Sequence, residues 1–153
     1  MLQFPYAARR LAATPPPNFP PSATHRYRPI VPLTLIGPTG RQHLATAVLD
    51  TGSDECLFPS IVQHIIAAQA RPEIGHRVTW RGGTFPLVYA DVSIELADEI
   101  TAYRWPATVA FTQAPLKYSL LGIAGCLEYF DARFLGEDRV VELETNWTYP
   151  GTR

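Results

Sequence analysis

From Ile30 onward the chain is a succession of short segments rich in β-branched and aromatic residues, each closed by turn residues. That punctuation leaves room for little but a mostly-β domain. Ile30 to Ile36 and Gln42 to Leu49 read as strands separated by a turn at Gly37 to Gly40. His76 to Trp80 and Thr84 to Leu96 read as the two arms of a hairpin turned by Arg81, Gly82 and Gly83, because a Gly pair between β-prone runs is a strong hairpin signal. In the second arm Val88, Ala90, Val92, Ile94 and Leu96 alternate with other positions, as a half-buried strand requires. Thr101 to Phe111, Ala132 to Leu135 and Arg139 to Leu143 supply further strands, and Leu120 and Leu121 lead into Gly122. Two helices are predicted. Ser60 to Ala70 has Ser60 placed as a cap and Ile61, Ile65, Ile66 and Ala68 as an apolar stripe, and Ala124 to Phe130 is a shorter one.

Seven of the fifteen prolines lie in the first 29 residues. Proline fixes φ and removes a backbone donor, so this stretch reads as a semi-extended arm that resists helix and sheet interior. The predicted organisation is a Pro-rich arm over residues 1–28, a compact domain over 29–144 and a C-terminal tail over 145–153. Hydrophobic residues at 46% and charged residues at 18% suit one packed domain in a chain of 153 residues.

Thirteen Lys and Arg against fourteen Asp and Glu give a net charge of −1, which provides no field for a phosphate backbone or an anionic membrane. Arg9 and Arg10, with Arg26 and Arg28 further on, form a local basic cluster that reads as solvated and without a role. No apolar run of about eighteen residues and no secretory-type leader is present, so the default expectation is a cytoplasmic protein without a membrane partner. Cys56 and Cys126 stand alone and read as buried free thiols, while His25, His43, His64 and His76 lack ligand spacing. No metal and no cofactor is expected.

The segment Ala47, Val48, Leu49, Asp50, Thr51, Gly52, Ser53 places a carboxylate directly after an apolar strand and turns the chain at once. A carboxylate in that position is poorly hydrated, which is costly unless it is used or paired. On these residues alone two readings stand level: a reactive acid, or a β-turn in which Asp50 bonds its own backbone and Gly52 supplies a positive φ.

Several features in order favour the first. The apolar run before Asp50 and the Leu57, Phe58 pair after the turn resemble the active-site loop of aspartic proteases. Some seventy residues on, Leu120, Leu121 and Gly122, followed by Cys126 to Asp131, Phe134 and Gly136, resemble the second signature of the retroviral branch, and the Gly-tipped hairpin lies between, where that family carries its flap. The resemblance covers most of residues 29–144. It implies a closed, small β-barrel-like retropepsin fold with one or two short helices. The chain has no second Asp-Thr-Gly or Asp-Ser-Gly, so the resemblance implies a homodimer with Asp50 of each subunit in one catalytic pair.

In the mechanism so implied, the two Asp50 carboxyls share a proton and activate a water for attack on a peptide carbonyl. Thr51 would bond across the two-fold axis, and the Gly52 carbonyl would accept a substrate amide. The Ser53 hydroxyl would donate to the adjacent carboxylate, as in pepsin-like members, and an acidic optimum at about pH 4 to 6 is expected from it. Gly82 and Gly83 would form the flap tip over a peptide or protein substrate; an ordinary hairpin turn is the plainer alternative. Trp80 and Phe85 would line subsites or pack the hairpin.

The pattern is broken at one place. The family commonly has Arg after the second-signature Gly, paired with the acidic residue two places after the catalytic Gly; here those positions hold Ile123 and Asp54. Arg41, Arg81 and Arg133 are candidate replacements. The competing readings are a retropepsin-like dimerisation or peptide-binding module without turnover, and a small β-barrel or sandwich unrelated to proteases.

Overall fold

The alternation that reads as strand in the sequence folds as strand, and the buried residues of those strands form one main core with a small satellite beside Asp50. The structure, a computed structural model, describes residues 1–73 and 76–152; Arg153, the end of the expected C-terminal tail, lies outside them. In chain order the elements are β1 (Leu2–Pro5), β2 (Ala7–Arg10), β3 (His25–Arg28), β4 (Ile30–Ile36), β5 (Gln42–Leu49), β6 (Leu57–Pro59), α1 (Ser60–Ile65), β7 (Arg77–Trp80), β8 (Gly83–Ala97), β9 (Ala102–Thr112), β10 (Ser119–Leu121), β11 (Phe130–Leu135) and β12 (Val140–Thr145). The fold is therefore mostly β, as expected.

The largest sheet runs β4-β5-β10-β6-β9-β8-β7, and β8 also pairs with β4, so that six strands close into a ring with β7 hanging from β8. Strand β8 is long enough to do both. Gly83–Pro86 pairs with β7, Leu87–Ala97 pairs with β9, and residues 93–95 pair with 36–34 of β4. Along β8 the buried set is Leu87, Ala90, Val92, Ile94 and Leu96. Val88, expected in the buried register, is only half-buried. The parity changes between Leu87 and Ala90 because Leu87 packs with Leu57 and Ala110 in the satellite cluster, whereas the later residues face the main core.

Both predicted helices are shorter than the sequence suggests. Helix α1 ends at Ile65, and Ala67 turns left-handed at φ 54°, so Ala68 falls beyond it. Pro59, not Ser60, occupies the N-cap, and no side chain caps the helix. The inward residues are Val62 and Ile66, while Ile61 and Ile65 are 61% and 42% exposed. The helix end is fixed from outside: a Cβ at Gly37 would stand 1.8 Å from the Ile66 carbonyl oxygen, so the β4–β5 turn docks directly on it. Over 124–130 only one 3₁₀ turn forms, Leu127–Tyr129. The backbone just before it is committed elsewhere, since the Ile123 and Ala124 amides donate to the Ser53 and Asp54 carbonyls at 2.9 Å each.

Residues 1–28, expected as a Pro-rich arm, carry three strands. Leu2 and Phe4 are 0% and 3% exposed and hold β1 against β12 in the register Leu2↔Leu143, Phe4↔Val141. β11 completes that three-stranded sheet. β2 and β3 form a separate two-stranded ribbon, Ala7↔Arg28 to Arg10↔His25, with Pro15, Pro16, Pro17, Pro20 and Pro21 in the loop between them. Its ends are anchored by cation–π contacts: the Arg9 guanidinium lies 4.7 Å from the Tyr118 ring centroid, and Arg139 lies 3.7 Å from that of Tyr27.

Candidate active site

The position of β10 defines the site. It is parallel to β5 (Ser119↔Ala47, Leu121↔Leu49) and antiparallel to β6 (Leu120↔Leu57), so it lies between the two strands that flank the Asp50 loop. The loop must therefore cross over the end of β10. The Asp50 amide donates to the Leu121 carbonyl at 3.0 Å, and a parallel bridge joins Glu55 to Ala124. The stretches around Asp50 and Gly122, seventy residues apart in sequence, thus form one hydrogen-bonded unit. Gly122 is required there: a Cβ would meet the Glu55 oxygen at 2.3 Å and the Ser53 oxygen at 2.6 Å.

Asp50 is half-buried, with Thr51 and Gly52 exposed beside it. The Ser53 amide donates to the Asp50 carbonyl at 3.1 Å, and the Gly52 amide donates to Asp50 Oδ1 at 2.9 Å. The carboxylate does bond its own turn, but Gly52 is not among the glycines with positive φ, which among the described residues are Gly40, Gly82 and Gly125. One expectation is corrected. The Ser53 hydroxyl donates to the Glu55 carbonyl at 2.8 Å, not to Asp50. Glu55 carries the Ala124 bridge, and Ser53 braces the backbone there; the acidic optimum argued from a Ser53–Asp50 bond loses its basis.

Two clefts open at Asp50. One, of about 430 Å³, is lined by Gly52 to Glu55, Leu57, Leu87 and Leu120 together with His76 to Trp80. The other, of about 340 Å³, lies toward the N-terminal ribbon. Trp80, the last residue of β7, lines both. Phe85 lines neither; its ring packs at Gly83, where a Cβ would come within 3.0 Å of it. Gly82 is exposed at the hairpin tip, and Arg81 and Gly82, with φ of 48° and 81°, make a turn of the primed type that matches strand twist. Leu121 is fully buried and acts through its backbone.

Several residues beside Asp50 were not singled out from the sequence. Glu55 accepts a hydrogen bond from the Tyr89 hydroxyl, and the Tyr89 ring meets His76 edge-on at 5.5 Å. Burial and that bond push the Tyr89 hydroxyl well above its ordinary pKa. Asp54 is exposed, and Arg133 pairs at 3.6 Å with Glu142 instead of with it. Among the described residues no group of three or more His, Cys, Asp or Glu is placed to hold a metal ion, and no helix is long and apolar enough to cross a membrane.

No family model matches the chain, and no curated protein does. Among solved structures it is similar to the EIAV protease complexed with an inhibitor, at 17% identity and a TM-score of 0.46, covering 62% of this chain and 81% of that one.

Proposed function

We propose that the chain is an aspartic endopeptidase that works as a homodimer, Asp50 of each copy supplying half of a carboxylate pair on the two-fold axis. The observation that carries this reading is the placement of Asp50 at the end of β5, in a loop stitched across β10 to residues 121–124, with two clefts opening at Asp50 and Trp80 lining both. A carboxylate set so firmly by backbone bonds, at the mouth of clefts able to take side chains, is arranged for chemistry on an extended ligand.

Acid-base hydrolysis of a peptide bond by two carboxyls needs one to be ionised and the other protonated. The chain supplies a single such loop, and Asp50, Thr51 and Gly52 lie open enough for the same loop of a second copy to meet them. Like charges brought together favour the shared-proton state, which titrates as a pair. The ionised member takes a proton from water as the oxygen bonds to the carbonyl carbon. The protonated member gives its proton to the carbonyl oxygen as the C=O π bond opens. The C–N bond of the resulting gem-diol then breaks as the first carboxyl passes its proton to the amine nitrogen and the second takes a proton back from the diol. Trp80 with the packed Leu57, Leu87 and Leu120, all lining the larger cleft, would exclude bulk water from a bound peptide.

The test is cleavage of a mixed peptide library from pH 3 to 8 by wild-type protein and by Asp50→Asn, with the solution mass of each. Loss of about 10³-fold or more of activity in a folded, dimeric variant is expected. A folded wild-type dimer that cleaves nothing would indicate a peptide-binding module instead.

A further inference from the structure

We propose that the ribbon-side cleft at Asp50 receives an acidic side chain of a peptide, making anionic peptides the preferred ligand class. Calling that peptide a substrate rests on the peptidase reading above; the preference for an anion rests on the cleft itself.

Four cations line this cleft of about 340 Å³: Arg26 and Arg28 from β3, Arg81 from the hairpin turn and Lys117 ahead of β10. Asp50 is the carboxylate among the lining residues, and none of the four cations forms an ion pair among the described residues. Arg28, Arg81 and Lys117 are exposed and so are largely satisfied by water; Arg26 is half-buried. Arg26 Nε, Trp80 Nε1 and the Tyr118 hydroxyl are buried and have no hydrogen-bond partner among the described residues. All three residues line this cleft, and all three groups can donate. Unpartnered donors and cations without counter-ions in one cleft call for a single kind of ligand, a compact group that is negative and only accepts. A carboxylate side chain has that chemistry. A nucleic acid fits less well, because the chain as a whole carries a net charge of −1 and offers no extended field to a phosphate backbone.

The N-terminal ribbon thereby gains a role. β3 brings Arg26 and Arg28 to the cleft, and the Arg9–Tyr118 contact holds the ribbon in place.

The experiment uses the full chain carrying Asp50→Asn, so that peptides are not consumed, and labelled octapeptides with a central Phe-Leu pair and either Glu or Gln at each flanking position in turn. Fluorescence anisotropy should show Glu binding about ten-fold tighter than Gln at one or two positions, and added salt should narrow the gap. Arg26→Gln and Lys117→Gln should each reduce that preference to about two-fold or less. Arg26→Lys, which keeps the charge, and Arg10→Gln, outside the cleft, should retain most of it; Arg26→Lys also serves if Arg26→Gln unfolds. Equal binding of Glu and Gln peptides at every position overturns the proposal, as does a preference indifferent to both neutralising variants. Stronger displacement by a single-stranded oligonucleotide than by the Glu peptide also overturns it. Hydrolysis of the same peptides by wild type separates the two readings: cleavage without a Glu preference removes only the anion selectivity, and a Glu preference in binding without any cleavage removes only the peptidase.

Discussion

Gly122 lies so close to Glu55 that a Cβ at position 122 would stand 2.3 Å from the Glu55 carbonyl oxygen. Backbone atoms on both sides leave no soft neighbour to give way. Gly122→Ala should destabilise the fold by about 1–3 kcal/mol or more, through displacement of the Asp50 loop. Thermal melting reads this directly; an unchanged midpoint would mean that the loop and the residues after β10 are not packed as described.

Glu55 is also held through its side chain, by the Tyr89 hydroxyl. Tyr89→Phe removes that donor and keeps the ring against His76. Stability should fall by about 1–2 kcal/mol. Because Glu55 lines the larger cleft at Asp50, a change in KM larger than that in kcat is expected in a peptide cleavage assay. A drop confined to kcat would place Glu55 nearer the chemistry than the structure does.

Asp98 accepts the Ile100 and Thr101 amides at 2.8 and 2.7 Å and the Gln3 amide at 2.9 Å, tying β1 to the β8–β9 turn. These bonds favour its ionised form and hold its carboxyl below the usual range. A depressed pKa stabilises the fold above the unfolded value of about 3.9, and the contribution is lost as the pH falls through the lower folded value. Asp98→Asn should therefore lower the melting midpoint at neutral pH, by under about 1 kcal/mol since the site is solvated, and the gap to wild type should close below about pH 4. A gap that persists at pH 2 would assign the effect to something other than the charge.

Cys56 and Cys126 are 1% and 0% exposed. A hydrogen bond donated to Cys56, together with burial, pushes the Cys126 thiol up and keeps it from forming thiolate. Alkylation of either residue in the native protein should be negligible and should rise in step with unfolding in urea. Mass spectrometry of protein treated with iodoacetamide would show it, and fast labelling of a folded sample would contradict the burial.

Much of the fold can be read from the chain because its causes are local. Alternation marks β4, β5 and most of β8, and Arg81 and Gly82 adopt positive φ where a two-residue hairpin turn demands it. The abrupt end of an apolar strand at Asp50 likewise locates the turn that the carboxylate occupies. Helix α1 is shorter than its sequence pattern for an equally physical reason: apolar spacing continues to Ala68, but docking of the Gly37 turn on Ile66 stops the helix earlier.

What a reading of neighbours in sequence misses is decided by contacts between distant residues. Leu2 pairs with Leu143 although proline-rich sequence surrounds β1, because two buried side chains gain more from the core than the nearby prolines cost. Ser53 donates to the Glu55 carbonyl, and that geometry depends on where Ala124 bonds the loop. Arg26 reaches Asp50's cleft only because a ribbon outside the ring folds back along it. The sequence by itself determined β4, β5, β8 and β9, the turns that join them and the loop that presents Asp50, since these follow from the preferences of adjacent residues. Tertiary structure alone decided what surrounds that carboxylate, because the strand between β5 and β6 and the cations beside them come from parts of the chain whose proximity no local preference encodes.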